Sequence, residues 1–362
     1  LSLAFLGRAD RVKASRALSR ERVIEGGEVE LRVEVECPSR LFRFADRVPD
    51  GLELVGGDPG GMALSAGRAV YRVRAPRGVY VFWRVAVDVT DPLGLASVRV
   101  EAGDVSVLTS LPRPVEARPP RGALGGRPPT GDTAFRRAGI GEEFMEVRDY
   151  LPGDPLKRVN WKATARLGRL MSNEYEEQRS SDVLIVVDTS PWTAVGRGDT
   201  VLDHEARAAL AMAEVMMASG RAVGLAAYGV GIVRPDRGAN HLMKIADLLA
   251  SLRPGNVRLS MVAGVLAGSG MERDCSIIVI TPMGEPDSVR AVEMLARAGF
   301  RVSVLSPSPA TAEAGEGGRV VEAAIRLAEV RRRWLLAEAS RFADVVDWDV
   351  RRGVVWAVSA VC

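Results

Sequence analysis

Residues 182–190 read DVLIVVDTS. Five consecutive apolar residues, four of them β-branched, suit a strand buried on both faces, as in the middle of a parallel sheet. The run stops on Asp188, Thr189 and Ser190, three oxygen-bearing side chains at the strand's carboxyl end. Downstream, helix and strand patterns alternate. An Ala/Met-rich helix is expected over 202–219 with Gly220 as its stop, and Met212, Met216 and Met217 at helical spacing are core. Strands follow at 222–228, 276–281, 301–305 and 345–348, with a short edge strand at 232–233. Helices fall at 241–252, 261–267, 287–298 and 320–340, with another at the C-terminus. This alternation predicts an α/β doubly wound parallel sheet over residues 182–362.

Upstream the period changes. Residues 28–36 (EVELRVEVE) alternate strictly between polar and apolar, the period of a half-buried strand. Residues 70–74, 79–89 and 96–100 repeat the pattern, separated by turn sequences at 49–51, 56–61 and 91–94. An all-β, immunoglobulin-like sandwich is expected over residues 20–110. Residues 111–138 are a linker rich in Pro, Gly and Arg. Residues 139–181 form a separate, densely charged segment. Residues 1–19 are a basic N-terminal segment in which a short apolar stretch precedes Arg8, Arg11, Lys13 and Arg16. That order is what the cytoplasmic exit of a transmembrane helix looks like, and equally what a solvated terminus looks like.

With 362 residues, 47% hydrophobic and 26% charged, the chain is long enough for two globular domains. Its 49 basic and 46 acidic side chains leave a net charge of +3, which gives no electrostatic footprint for nucleic acid. Cys37, Cys275 and Cys362 lack metal-ligand spacing, and two histidines cannot build a His-rich centre. His204 and His241 both open helices, where His204 reads as a solvated or capping residue. The run Arg331-Arg332-Arg333 reads as a solvated helix face that could touch anionic lipid. Arg197-Gly198-Asp199 reads as an ordinary strand-to-helix turn.

Ligands of open α/β sheets bind beyond the carboxyl ends of the strands, so Asp188 and Ser190 are candidate ligands for a hard cation such as Mg²⁺. Within 139–181, Glu143, Arg148, Tyr150, Gly153, Asp154, Arg158, Trp161 and Arg166 are candidate interaction residues. Guanidinium groups can pair there with Asp149, Asp154 and Glu174, and Trp161 offers a face to a cation. No catalytic constellation accompanies them.

Glu143-Phe144, Arg148-Asp149-Tyr150, Pro152-Gly153-Asp154, Arg158, Asn160-Trp161 and Thr164-Ala165-Arg166 resemble the signature of the "domain of unknown function 58" family. Residues 46–52, 77–80 and 91–95 extend the resemblance to the N-terminal half. It implies a β-sandwich followed by a von Willebrand A-like domain, transmembrane helices upstream of residue 1, and soluble domains facing the cytoplasm from the cell membrane. It also implies a non-enzymatic interaction or assembly factor that works with a MoxR-type AAA+ ATPase. The alternative is a Mg²⁺-dependent ligand-binding A-type domain. Against that alternative, Trp192 stands where the full metal motif has a second Ser, Ser260 is the nearest hydroxyl to an expected Thr, and Thr281-Pro282 replaces an expected Asp. No cofactor is expected if that degenerate site is empty.

Overall fold

The computed structural model describes residues 12–37, 41–90, 97–115, 138–139, 143–150, 159–176, 182–196, 198–227, 229–271, 274–313 and 319–361. They fall into two compact units, Leu1–Pro119 with Asp182–Cys362, and Pro120–Ser181. The all-β and α/β halves thus belong to one unit. No helix of the described residues is long and apolar enough to cross a membrane.

Among the described residues eleven strands build the all-β half: β1 (Lys13–Leu18), β2 (Arg22–Ile24), β3 (Gly27–Glu36), β4 (Leu41–Ala45), β5 (Glu53–Gly57), β6 (Gly60–Ala63), β7 (Ala66–Ala75), β8 (Gly78–Phe82), β9 (Val85–Thr90), β10 (Ser97–Ala102) and β11 (Ser106–Leu111). Alternation on β3 sends Val29, Leu31, Val33 and Val35 into one core with Phe42, Phe44, Tyr71, Phe82 and Leu108. Three sheets surround it, ordered β1-β3-β7-β5, β10-β9-β4-β6 and β2-β11-β8, where a two-sheet sandwich was expected. Alternation identifies strands but not their partners, and the short β2 pairs in parallel with β11 and so joins a sheet of its own.

Lys13–Leu18 is a strand paired with β3 along its whole length. The Arg16 side chain is buried, donating to Asp46 Oδ2 at 2.8 Å and to the Trp83 carbonyl at 2.6 Å, with its guanidinium 5.4 Å from the Phe82 ring centroid. Asp46 also accepts from the Tyr71 hydroxyl at 2.6 Å. Burial and that carboxylate push the Tyr71 pKa far up. Residues 1–11 lie outside the described residues.

The second unit contains β12 (Ala138–Gly139), β13 (Glu143–Asp149), α1 (Trp161–Leu167) and β14 (Met171–Glu176), with sheet order β12-β14-β13.

The α/β half runs β15 (Val183–Val187), α2 (Val201–Ala218), β16 (Val223–Ala227), β17 (Gly231–Asp236), α3 (Ala239–Ser251), α4 (Leu259–Gly268), β18 (Ser276–Ile280), α5 (Pro286–Arg297), β19 (Arg301–Pro307), α6 (Pro309–Ala312), α7 (Arg319–Ala339), β20 (Asp344–Trp348) and α8 (Gly353–Val361). Its sheet is ordered β17-β16-β15-β18-β19-β20. Neighbouring strands are parallel except β17, which runs antiparallel to β16, so the sheet is mixed rather than wholly parallel. The reason is local: a connection of a few residues, with Gly229 at φ 82°, can only return the chain antiparallel. Val183, Ile185 and Val187 face a core closed by α2, α3 and α8. Leu184 and Val186 face the opposite core, under α4, α5 and α7. Both faces of β15 are therefore covered, which is why its sequence has no polar alternation.

Buried charges tie the two halves together. Arg77, in the β7–β8 turn, donates to Asp203 Oδ1 at 2.8 Å and to the Leu249 and Leu252 carbonyls at 2.8 and 3.0 Å. Arg207 on α2 holds Glu25 through two hydrogen bonds, and Asp199 through a third at 2.6 Å. On the surface, the exposed Arg253 donates to the Val79 carbonyl at 2.9 Å.

Candidate functional site

The strand order reverses at β15, with β16 on one side and β18 on the other, and the crevice of an open α/β sheet lies beyond such a point. Asp188 is placed there as expected. Its amide donates to the Ile280 carbonyl at 2.9 Å, which carries the ladder one residue past the strand. Its carboxylate is buried and fully engaged. Oδ1 accepts from the Ser190 amide at 2.8 Å, while Oδ2 accepts from Ser190 Oγ at 3.2 Å and Thr281 Oγ1 at 2.7 Å. These donors favour the charged form, yet burial outweighs them and raises the Asp188 pKa, helped slightly by Glu285.

Around this carboxylate the mouth is filled by the chain itself. Ser190 leads into a single 3₁₀ turn, Pro191–Ala194, which carries Trp192. The indole lies so close to Gly284 that a methyl group on that glycine would overlap it. Met283, fully buried, takes φ 53°, an uncommon conformation for a residue with a side chain. The Gly255 amide donates to the Thr189 carbonyl at 2.6 Å. Ser260, the expected stand-in for a metal-binding Thr, is committed elsewhere: its hydroxyl donates to Asp287 Oδ1 at 2.6 Å and its amide to Oδ2 at 3.0 Å.

Three residues were not legible as part of this region. Glu205 on α2 is 0% exposed, and neither carboxylate oxygen has a hydrogen-bond partner among the described residues. Burial, and then the charge of Asp188, raise its pKa well above the ordinary value, with Arg77 opposing. The available signal was an acid in the buried stripe formed by Leu202, Ala206 and Ala209. Thr281, read only as a missing Asp, is a hydrogen-bond donor to Asp188. Arg332, read as part of a solvated run, is 3% exposed. It donates to the carbonyls of Pro282 (3.0 Å) and Ser306 (2.9 Å) and to Asp347 Oδ1 (2.7 Å), tying together the ends of β18, β19 and β20. Only Arg331 and Arg333 are exposed.

Both histidines lie in the first turns of their helices, as expected, but His204 is not solvated. His204 is half-buried edge-on against Trp348, with ring centroids 6.1 Å apart, and burial lowers its pKa. His241 is buried, with Nε2 2.8 Å from the Val223 carbonyl.

The donor set does not fit a divalent cation held by protein ligands. One carboxylate, already accepting three hydrogen bonds, and two hydroxyls supply too little charge and too few free lone pairs. Among the described residues no group of three His, Cys, Asp or Glu side chains is placed to hold a metal.

Of the signature residues, Gly153, Asp154 and Arg158 lie outside the described residues. Glu143 and Arg148 lie on β13, which pairs antiparallel with β14. Tyr150 follows, its amide donating to the Leu170 carbonyl at 2.9 Å. Asp149 pairs with Arg169 at 3.1 Å on the surface. Trp161 and Arg166 are exposed at the two ends of α1. Their neighbours have structural work. Asn160 caps α1 by accepting from the Ala163 amide at 2.9 Å, Thr164 Oγ1 accepts from the Met171 amide at 3.0 Å, and Gly168 at φ 68° ends the helix.

Residues 146–307, from β13 to the end of β19, match the family model described as "Protein of unknown function DUF58". Over that region the chain is similar to the DUF58 family. The chain is also similar to "Uncharacterized protein YeaD" of Bacillus subtilis (strain 168), with 26% identity over 198 residues, 49% of this chain and 47% of that one. It thus spans about half the length of the curated relative it matches. Among solved structures, a non-cellulosomal cohesin from the hyperthermophilic archaeon Archaeoglobus fulgidus shares 15% identity at a TM-score of 0.21, covering 27% of this chain and 91% of the cohesin. The reeler domain of human F-spondin shares 8% at 0.18, covering 27% and 88%. Scores this low carry no argument about the fold or function of this chain.

Proposed function

We propose that this protein is a non-enzymatic interaction or assembly factor whose α/β half is von Willebrand A-like. The A-like reading is supported by the strand order, with a short antiparallel strand at one edge, and by Asp-x-Ser at the end of the first central strand. The observation that carries the interaction reading is the closed mouth. Where an α/β sheet normally presents its ligand site, Asp188, Thr281, Met283 and Trp192 against Gly284 fill the space. Large apolar side chains, among them Trp83, Trp161 and Trp334, are instead exposed on the outer surface. A membrane anchor and a MoxR-type AAA+ ATPase partner belong to the same proposal and rest on family resemblance.

Co-purification of the tagged chain from its native host tests this. A stable complex containing an AAA+ ATPase is the expected result, and repeated recovery of the lone monomer overturns it. The Mg²⁺-dependent alternative keeps one supporting observation, the Asp188–Ser190 pair at the switch point. Calorimetric titration with Mg²⁺ separates the two readings: the closed mouth predicts no heat at millimolar metal, and saturable heat lost in Asp188→Asn establishes the alternative.

A further inference from the structure

Helix α7 has two faces with opposite characters. One packs into the sheet through Leu335, Leu336 and Ala339. The other exposes Leu327 (73%), Val330 (66%) and Trp334 (61%), with Ala323 and Ala337 exposed at either end. The steps from Ala323 to Leu327, Val330, Trp334 and Ala337 are four, three, four and three residues. That is the spacing of a coiled-coil seam, sustained over two heptads and about 21 Å of helix. A seam this narrow differs from the broad apolar face with which a helix lies in a membrane interface.

The flanks specify the partner. Arg326 and Arg333 border the seam on one side and Arg331 borders it on the other, all exposed. Glu329 lies 3.7 Å from Arg333 but on its far side from the seam, and Glu338 enters only at the C-terminal end, where Arg341 engages it at 2.6 Å. Seam-flanking positions select partners by charge, and a second copy of this helix would bring arginines against arginines. A chain with apolar residues at the same spacing and carboxylates beside them would gain on both counts.

We infer that the exposed seam of α7 is a docking surface for an acidic amphipathic helix of a partner protein. This rests on the interaction reading above and names the surface and the partner's chemistry. Leu327, Val330 and Trp334 are the knobs, Trp334 is the anchoring aromatic, and Arg326, Arg331 and Arg333 choose a carboxylate-flanked partner over a basic or neutral one.

The test uses the full chain and a synthetic three-heptad peptide with Leu at the seam positions and Glu at the flanks, whose mutual repulsion keeps it from pairing with itself. Fluorescence anisotropy of labelled peptide is expected to show saturable binding. Val330→Glu should weaken it roughly tenfold or more. Arg326→Glu with Arg331→Glu should lose the acidic peptide and gain its Lys-flanked counterpart. These positions are exposed, so circular dichroism and the thermal midpoint should match wild type. If Val330→Glu does not fold, Leu327→Ala with Val330→Ala makes the same comparison.

Equal binding of acidic and basic peptides, or of neither, overturns the inference. So does capture of the chain by phosphatidylserine vesicles in place of the peptide, or a concentration-dependent dimer that Val330→Glu abolishes. A complex recovered from the host that survives Val330→Glu also overturns it while leaving the interaction reading standing. Failure to recover any host complex strikes the interaction reading alone, and the peptide measurement still decides the surface.

Discussion

Glu205 is the residue at which local chemistry and fold are in sharpest conflict. Its side chain is buried with no hydrogen-bond partner among the described residues, so as a carboxylate it would bear nearly the full cost of desolvation. The proton is therefore retained, and its pKa stands well above the ordinary 4.5. The charged groups acting on it are Asp188, which opposes ionisation, and Arg77, which favours it. The sign of the pH dependence follows. Above 4.5 the unfolded chain releases this proton while the folded chain keeps it, so stability falls as pH rises, until the folded-state pKa is passed. The slope from one such group is at most about 1.4 kcal/mol per pH unit. Glu205→Gln keeps the shape and removes the titration, so urea unfolding from pH 5 to 8 should give a flatter profile than wild type, with equal or greater stability at the upper end. A variant as steep as wild type would show that another group dominates. Thr281→Val acts in the opposite direction. It deletes the 2.7 Å hydrogen bond to Asp188, should cost about 1–3 kcal/mol, and should steepen the profile, because Asp188 loses a donor that favours its ionised form.

At the scale of elements, the ends of the central strands are shaped by contacts that no single segment reveals. The indole of Trp192, in the turn after β15, is seated on Gly284, in the loop after β18. Gly284→Ala should displace it and destabilise the chain by about 1–3 kcal/mol. Thermal unfolding of the double-mutant cycle with Trp192→Leu checks the cause: the second substitution should recover much of the loss, and simple additivity would mean that the indole is not what the methyl meets. The strands and helices of this half were readable because each announces itself by period and length. The run 183–187 is apolar without alternation, α2 is rich in Ala and Met, and Gly220 stops it. The antiparallel course of β17 was less legible, since an edge strand looks alike in either direction and only the tight turn at Gly229 decides. The site was half legible. Asp188 and Ser190 could be placed by their position at the strand end, but Thr281, ninety-three residues on, meets Asp188 only through β18 pairing with β15. Arg332 looked like one of three solvated arginines because a run of like charges does not disclose which member turns inward.

At the scale of the molecule, the change in pattern from period-two strands to alternating strands and helices suggested two domains, whereas the two halves form one compact unit. The ties between them are scattered single residues, which is why composition could not disclose them. Arg77 is the most consequential. Its guanidinium reaches the carbonyls of Leu249 and Leu252 at the end of α3, and also Asp203, which closes the capping box at the start of α2. One all-β side chain thus serves the ends of two α/β helices, and it is nearly inaccessible to solvent. Arg77→Met keeps much of the apolar stem but leaves those carbonyls and Asp203 without their donor, so a cost of about 3–5 kcal/mol is expected. Glu25 and Arg207 form the second buried tie, and Arg253 to the Val79 carbonyl a third tie, on the surface, so one substitution should loosen the union without abolishing it. Calorimetry reads the outcome. Wild type should unfold this unit in one cooperative transition, and Arg77→Met with Glu25→Gln should separate it into an earlier and a later one, because each half has its own hydrophobic core. A double variant that still melts in a single transition, merely shifted to lower temperature, would show that apolar contact across the two halves, with Leu111 and Val115 packed against the α2 side, couples them without the charges.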